Sequence, residues 1–167
     1  MGQTAHFPYT SPLVSLFLVR HAAPVDRSGW AFDDLERPLT PRGIEQADRI
    51  TAYFATHTIR GVWSSQATRC VETVQGLAAA HDVSVEVHRE LTEGARPNDL
   101  LELLRVHASG DDDLVLCSHG DLIPEILNLL LREGMVVRGA RGCEKASIWT
   151  LETRGREITG ATYTAVP

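Results

Sequence analysis

The stretch Leu13-Val14-Ser15-Leu16-Phe17-Leu18-Val19-Arg20-His21 decides the fold. Its short apolar run predicts a buried β-strand over residues 13–19. That strand delivers Arg20 and His21 together into the following loop, and ligands of open α/β sheets collect at the carboxyl ends of strands. An imidazole there can act as nucleophile or proton carrier, and a guanidinium supplies a permanent positive charge with donors shaped for phosphate or carboxylate.

Length and composition predict one globular domain. The chain has 167 residues, of which 43% are hydrophobic and 23% charged, as is usual for a single soluble domain. We expect a loosely ordered lead-in over residues 1–11 and one domain over 12–167. The net charge of −6 argues against nucleic-acid binding. No apolar stretch reaches the length of a membrane span and no secretory signal is evident, so we expect a cytoplasmic protein without a membrane partner.

Cysteine and lysine are too sparse to define a site. The three cysteines, Cys70, Cys117 and Cys143, lack paired spacing, and this excludes a disulfide framework or a zinc site. We therefore expect neither a metal nor a cofactor. Lys145 is the only lysine among 16 basic residues, so an anion site is expected to use arginine, histidine or backbone N–H groups.

Strand-like and helical patterns alternate along the chain. This alternation predicts an α/β fold, a three-layer sandwich with a mostly parallel central sheet and helices on both faces. The first helix has a clear start, with Thr40 as N-cap and Pro41 in the first position. Gly134, Gly139 and Gly142 mark a loop before the last strand. Strands are predicted over 13–19, 59–63, 83–87, 113–117 and 146–151, and helices over 41–56, 66–80, 98–108 and 121–132.

Two more predicted strands end in groups that suit an anion. Residues 114–117 lead into Ser118-His119-Gly120, which places a second histidine in the same setting as His21. The strand before Ser64 leads into the helix that carries Arg69 in its first turn, with Ser65 as a candidate cap. A helix start offers free N–H groups and a positive dipole end. A single strand end followed by a histidine or an arginine is most simply an ordinary structural feature. Three such strand ends together favour a phosphate site.

Glu93, in the loop before Gly94, is a candidate general acid. A carboxyl group beside a phosphate is protonated more easily, because neighbouring negative charge disfavours its ionised form. Glu90 and Asp121 are rivals for the same role.

The sequence lacks the residue spacings that other phosphate-binding and phosphatase motifs require. No glycine-rich run ends in Gly-Lys, as a nucleotide-binding P-loop requires. A cysteine phosphatase needs arginine six residues after its cysteine, where this chain has Gly76, Ile123 and Trp149. The acidic run 111–113 precedes a strand instead of following one. A histidine nucleophile remains.

These motifs together resemble the histidine phosphatase superfamily, whose fold is phosphoglycerate mutase-like. The resemblance is to its small bacterial phosphohistidine-phosphatase branch, and also to the phosphatase domain that some actinobacterial proteins fuse behind a Nudix hydrolase. This sequence contains no Nudix domain, and Ala22 replaces the glycine of the Arg-His-Gly motif. The matching segments are Leu18-Val19-Arg20-His21-Ala22, Arg37-Pro38-Leu39-Thr40-Pro41-Arg42-Gly43 with Gln46-Ala47, Ser64-Ser65 with Arg69 and Thr73, Leu91-Thr92-Glu93-Gly94, and Ser118-His119-Gly120.

The resemblance implies a metal-independent phosphatase. His21 would attack phosphorus and become a phosphohistidine, which water then hydrolyses. Arg20, Arg69 and His119 would hold the phosphoryl oxygens, and Glu93 would protonate the leaving oxygen. Secondary candidates at the same site are Ser65, Arg37 and Asp121.

The spacing of the motifs leaves the substrate open. Only 49 residues separate Arg69 from His119, so we expect no large cap subdomain and an open site. Such a site suits a phosphorylated small molecule, a nucleotide or a phosphohistidine protein. The alternatives are a non-catalytic phosphate-binding or partner-docking module, and phosphoglycerate-mutase-type phosphotransfer, which usually needs enclosure.

Overall fold

A seven-stranded sheet organises the protein, in the order β3-β2-β4-β1-β6-β7-β5. The computed structural model describes residues 15–110 and 113–167, so the expected lead-in over 1–11 and the first two residues of the strand predicted over 13–19 lie outside the described residues. The strands are β1 (Ser15–Arg20), β2 (Ile59–Ser64), β3 (Val85–Val87), β4 (Asp113–Ser118), β5 (Val136–Arg138), β6 (Ile148–Arg154) and β7 (Glu157–Thr164). The helices are α1 (Pro41–Tyr53), α2 (Thr68–Ala80), α3 (Pro97–His107) and α4 (Leu122–Arg132), with short 3₁₀ helices at Arg27–Gly29, Asp34–Glu36 and Arg89–Leu91.

The sheet is mostly parallel, which confirms the predicted fold. β1 pairs with β4, β2 with β4 and with β3, and β5 with β7, all in parallel. Only β6 runs antiparallel to its neighbours β1 and β7. The register sets Arg20 opposite Ser118 and Ser64 opposite Cys117. The loops that follow β1, β2 and β4 therefore begin side by side at one edge of the sheet.

The helices cover both faces of the sheet because the side chains of β1 alternate between two cores. Phe17 and Val19 belong to the core beneath α1 and α2. Leu16 and Leu18 belong to the core beneath α3 and α4. All four are nearly fully buried, and each such side chain contributes roughly 1.5–3 kcal/mol of hydrophobic stabilisation. The predicted three-layer arrangement is confirmed.

The segment between α2 and β4 belongs to these layers. β3 extends the sheet beside β2. Leu100, Leu101 and Leu104 of α3 are buried in the core that α3 shares with α4. No large cap therefore rises from the described part of this segment, as predicted. None of the helices between residues 15 and 167, apart from the undescribed positions 111–112, is long and apolar enough to cross a membrane.

The helix starts agree with the sequence in one case and differ in another. Thr40 Oγ1 accepts a hydrogen bond from Gly43 N at 3.1 Å, as expected of the N-cap of α1. By contrast, α2 begins at Thr68 with Ala67 as its N-cap, so the predicted cap at Ser65 is wrong. The reason is that Ser65 N still donates to Cys117 O at 3.0 Å, which keeps the chain extended beyond β2.

Two strands at the C-terminal end were missed. β5 lies in the glycine-rich stretch interpreted as a loop, and β7 follows β6 through a turn at Gly155, where φ is +58°. β5 has three residues and two of them are exposed. In β7, buried and exposed residues are mixed and Gly160 interrupts the apolar pattern. Neither strand carries the continuous apolar run that marks β1 and β4.

A close backbone approach at Gly43 gives a test of the packing. A Cβ at this position would lie 2.1 Å from Ala23 O. That oxygen cannot simply move, because it accepts hydrogen bonds from Thr40 N at 3.0 Å and Thr40 Oγ1 at 3.1 Å. We expect Gly43→Ala to lower the free energy of unfolding by roughly 1–3 kcal/mol, measured by urea denaturation.

Gly76→Ala in α2 is the matched control. Its added Cβ would meet only Thr51 Oγ1, at 3.3 Å, and alanine in a helix interior is favoured over glycine by about 1 kcal/mol. This variant should be as stable as the wild type or more stable. Equal urea midpoints for Gly43→Ala and the wild type would contradict the proposed constraint.

Candidate active site

One cleft of about 400 Å³ gathers most of the predicted site residues at the edge of the sheet where β1, β2 and β4 end. Arg20 and His21 enter it from the end of β1, Arg69 from the first turn of α2, and His119 from the loop after β4. The predicted residues that line the cleft are Arg20, His21, Arg37, Arg69, Glu93, His119 and Asp121. Arg27 and Lys145 add further positive charge to its wall.

The orientation of the His21 ring is set by its own backbone neighbour. His21 Nδ1 lies 2.8 Å from Ala22 O. A carbonyl oxygen can only accept, so Nδ1 carries the hydrogen and Nε2 retains its lone pair. The loop is held in turn by Ala22 N, which donates to Thr73 Oγ1 at 2.9 Å, while Thr73 Oγ1 donates to Arg69 O at 2.6 Å. Nε2 is therefore the ring nitrogen available to the cleft.

His21 is neutral over the physiological pH range. The side chain is 6% exposed, and burial lowers its pKa to about 3. The hydrogen bond to Ala22 O raises the pKa, but the nearby His119, Arg69 and Arg20 lower it further. Burial and positive surroundings both disfavour the imidazolium. The ring thus keeps the lone pair that a nucleophile needs.

Two arginines that line the cleft with His21 are held in place by other parts of the chain. Arg20 Nη1 donates to Cys143 O, and its guanidinium lies so close to Gly120 that a Cβ there would be 2.6 Å from Arg20 Cζ. Arg69 is 1% exposed. Within the described ranges, the Nε atoms of both arginines are buried and have no hydrogen-bond partner. Unsatisfied buried donors are costly, and they suit an anion.

Asp34 anchors three arginines at once. Its carboxylate lies 3.2 Å from Arg69 Nη2, 3.0 Å from Arg37 Nε and 3.1 Å from Arg27 Nε. Its backbone oxygen also accepts from Arg69 Nη1 at 2.9 Å. Desolvation raises the pKa of Asp34, but Arg69, Arg37 and Arg27 outweigh it and lower the pKa below its ordinary value. Asp34 was missed in the sequence, because an acidic residue in a loop gives no sign of its partners.

His119 is supported from behind by Ser65. The two histidine rings lie 5.3 Å apart between centroids, and His119 is 2% exposed. His119 Nε2 lies 2.9 Å from Ser65 Oγ and 3.5 Å from Cys70 Sγ. Ser65 is fully buried, so this secondary candidate contacts His119 and does not line the cleft. His119 Nδ1 is buried without a partner in the part of the chain that the structure describes.

Two of the three acidic candidates reach the cleft. Glu93 Oε2 accepts from Arg69 Nη2 at 2.9 Å, and Oε1 accepts from Arg27 Nη2 at 3.4 Å. Asp121 Oδ2 accepts from Gly94 N at 2.9 Å, which connects the Glu93 loop to the start of α4. Glu90 instead pairs with Arg89 at 3.3 Å and is not among the described residues of the cleft wall.

Lys145 corrects one expectation. The rarity of lysine predicted an anion site without it, but this single lysine lines the cleft. The number of lysines in a sequence does not show where the single lysine lies in the fold.

Residues 15–110 and 113–167 contain no group of three or more His, Cys, Asp or Glu side chains that could hold a metal ion.

Two solved structures share this fold. A protein histidine phosphatase SixA complexed with tungstate is 20% identical, with a TM-score of 0.71 over 90% of this chain and 94% of that one. A mycobacterial glucosyl-3-phosphoglycerate phosphatase is 16% identical, with a TM-score of 0.66 over 92% of this chain and 98% of that one.

Sequence comparison also finds a curated relative and a family. An 8-oxo-(d)GTP phosphatase of Mycolicibacterium smegmatis is 29% identical over 160 residues, which are 92% of this chain and 48% of the relative. The chain thus spans about half the length of that relative. Residues 16–96 match the model of the histidine phosphatase superfamily (branch 1), a segment that contains Arg20, His21, Arg69 and Glu93. This match covers just under half of the chain, and in that segment, in its motifs and in its fold the chain is similar to the histidine phosphatase superfamily.

Proposed function

We propose that this protein is a phosphatase that hydrolyses phosphomonoesters or phosphohistidine through a covalent phosphohistidine on His21. The observation that carries the proposal is the state of His21, a buried neutral imidazole whose Nδ1 is bonded to Ala22 O. Its lone pair on Nε2 faces a cleft walled by permanent positive charge from Arg20 and Arg69. A cleft of this kind attracts a phosphoryl group and supplies the nucleophile in the same place.

In the first step, His21 Nε2 attacks phosphorus, the bond to the leaving oxygen breaks, and Glu93 donates a proton to that oxygen. Negative charge is spread over the phosphoryl oxygens during this displacement. Arg20, Arg69 and His119 line the same cleft as His21 and stabilise that charge. Because these groups are buried and already oriented, little reorganisation is needed as the charge develops.

In the second step, water attacks the phosphohistidine and the P–N bond breaks. The residue that protonated the leaving oxygen now takes a proton from this water, as microscopic reversibility requires. Glu93 is the proposed acid and base. A bound phosphate competes with its carboxylate for Arg69, which Glu93 Oε2 contacts at 2.9 Å, and leaves it beside negative charge that favours the protonated form.

The substrate carries an exposed phosphate, on a small molecule, a nucleotide or a phosphohistidine protein. The named activities of the similar proteins cover all three kinds. The proposed steps use no metal or other cofactor. We also propose the cytoplasmic location that the composition led us to expect. A non-catalytic phosphate-binding module is the alternative that the first experiment below decides.

The first prediction concerns the nucleophile. Hydrolysis of p-nitrophenyl phosphate, measured with EDTA between pH 5 and 8, should be readily detected for the wild type. His21→Ala should lower kcat by at least about a thousandfold, because removing a covalent nucleophile leaves only binding and electrostatic effects. His81→Ala, at the distant end of α2, should keep the wild-type rate. A His21→Ala rate above about one tenth of wild type would exclude this nucleophile, and an inactive wild type would favour the binding module.

The second prediction separates the two acidic residues of the cleft. The p-nitrophenolate ion leaves readily without a proton. The glycerol released from glycerol phosphate would leave as an alkoxide, which is a poor leaving group unless its oxygen is protonated. Glu93→Gln should therefore lower kcat for glycerol phosphate about a hundredfold or more and affect p-nitrophenyl phosphate much less. Asp121→Asn retains an oxygen that can accept from Gly94 N. This variant should change the rates with the two substrates by the same factor. The reverse pattern would make Asp121 the acid.

The third prediction uses the low pKa of His21, about 3 against an ordinary 6.5. Between these values the unfolded chain binds a proton that the folded protein excludes. The contribution of His21 to stability is thus fully present above pH 6.5 and is lost as the pH falls toward 3. From pH 7 to 5 the loss is about 2 kcal/mol.

Urea denaturation of the wild type and of His21→Asn at both pH values measures this loss. The variant lacks the titrating group, so its stability should fall by about 2 kcal/mol less than that of the wild type. Equal losses would mean that His21 is not held neutral in the folded protein.

A further inference from the structure

A second cleft, of about 350 Å³, adjoins the active-site cleft. Its walls are Arg27, Trp30, Phe32, Asp34 and Glu93, and we call it the aromatic cleft. Arg27 and Glu93 also line the active-site cleft. The two clefts therefore adjoin at Arg27 and Glu93, which pair with each other at 3.4 Å, and a molecule bound at His21 would pass these two side chains to reach the aromatic cleft.

Two aromatic side chains line this cleft, a highly exposed Phe32 and a partly exposed Trp30. Phe32 is 71% exposed, more than any other large hydrophobic side chain in the described ranges. Its ring lies 5.1 Å from that of Trp30 between centroids, at an interplanar angle of 64°. A phenylalanine that remains in water forgoes the free energy of burial that its ring could gain. A planar ligand stacked on the Phe32 ring, with its edge toward Trp30, would recover it.

A hydrogen bond fixes the Trp30 ring to the loop that also contacts the phosphate site. Trp30 Nε1 donates to Asp33 O at 2.8 Å, and Asp33 Oδ1 accepts from Leu35 N at 2.9 Å. The next residue, Asp34, pairs with Arg69 at 3.2 Å. The chain that carries the rings is thus joined within a few residues to an arginine beside His21. The distance from aromatic cleft to phosphate site is set before any ligand arrives.

We propose that the aromatic cleft binds the base of a nucleoside 5′-monophosphate whose phosphate is held at His21. This inference rests on the proposed phosphatase function and names its substrate class. Every nucleobase presents a π-face to an aromatic side chain, so stacking accepts different bases. The other walls of the cleft are polar, with Arg27 and Asp34 paired at 3.1 Å, so the aromatic side chains are the part of the cleft that suits the face of a base. A sugar phosphate without a base leaves both rings in water.

Comparing two phosphate esters tests the aromatic cleft by kinetics. Guanosine 5′-monophosphate carries a base, and ribose 5-phosphate presents the same phosphorylated sugar without one. For the wild type we expect a higher kcat/KM with the nucleotide. Phe32→Ala should lower the ratio of the two kcat/KM values by at least about fivefold, chiefly through KM for the nucleotide.

Two variants control for the loop itself. Phe32→Tyr keeps the π-face and should keep the ratio. Leu35→Ala changes an exposed apolar residue of the same loop, which is 38% exposed and outside the described walls of both clefts. It should also keep the ratio. If Leu35→Ala lowers the ratio as much as Phe32→Ala, the effect belongs to loop structure and the inference is overturned.

Fluorescence tests base binding without catalysis. Trp30 is partly exposed, whereas Trp63 and Trp149 are 6% and 2% exposed, so a stacked base should quench mainly Trp30. Guanosine 5′-monophosphate is titrated into His21→Ala protein, which cannot consume it by the proposed route. Saturable quenching is expected, and it should disappear when Trp30→Phe is added.

These measurements separate failure of the inference from failure of the proposed function. If neither ester is hydrolysed but the nucleotide quenches Trp30, the aromatic cleft stands and the phosphatase proposal fails. If both esters are hydrolysed equally well and Phe32→Ala changes neither, the phosphatase stands and the inference is overturned. It is also overturned if Phe32→Ala impairs only the dephosphorylation of a phosphohistidine protein, because the rings then contact a protein.

Discussion

Backbone pairing in the centre of the sheet is the constraint on which the rest of the structure depends. β4 lies between β1 and β2, in parallel with both, and its register sets Arg20 opposite Ser118 and Ser64 opposite Cys117. Three strands therefore end level with one another. A slip by one residue would exchange the faces of every side chain in a strand. It would move Leu16 and Leu18 away from one core and separate the histidines, so packing of the core and assembly of the site are the same requirement.

Charge balance is the second requirement of the site. Arg69 is 1% exposed, and a charge removed from water so completely is stable only when it is paired and hydrogen-bonded. Asp34 and Glu93 provide that pairing at 3.2 and 2.9 Å. His21 lies close to this charge and stays neutral. The positive potential of the cleft therefore comes from its arginines, and the reactive lone pair comes from a histidine that burial keeps neutral.

Sequence patterns predicted the features of this protein that depend on a short stretch of neighbouring residues. The apolar runs of β1 and β4 and the residues directly after them could be predicted, because a buried strand and its end are visible within ten residues. The positions of Arg20, His21, Arg69 and His119 in one cleft follow from that and from parallel pairing. β7 was not predicted, because Gly160 and exposed residues interrupt its apolar pattern.

The remaining parts of the site depend on contacts between distant segments. Glu90 and Glu93 lie in the same short stretch, and only the fold directs one of them to Arg69 and the other to Arg89. Lys145 is far along the chain from Arg20, Arg69 and Glu93, with which it lines the cleft. Asp34, Trp30 and Phe32 occur in a polar loop whose path is set by Arg37 and Arg69. A single sequence carries no sign of such long-range pairings.

The loop between Pro24 and Leu39 has a consequence for how related enzymes can diverge. Its two ends meet in a β-bridge, reinforced by Val25 N donating to Pro38 O at 2.8 Å. Because the ends are already joined, insertions and deletions between them leave the sheet unchanged. Asp34 limits this freedom, since a replacement loop must still bring a carboxylate to Arg69. Evolution can therefore exchange the aromatic residues and the loop length, and so alter substrate preference, provided that one acidic position persists.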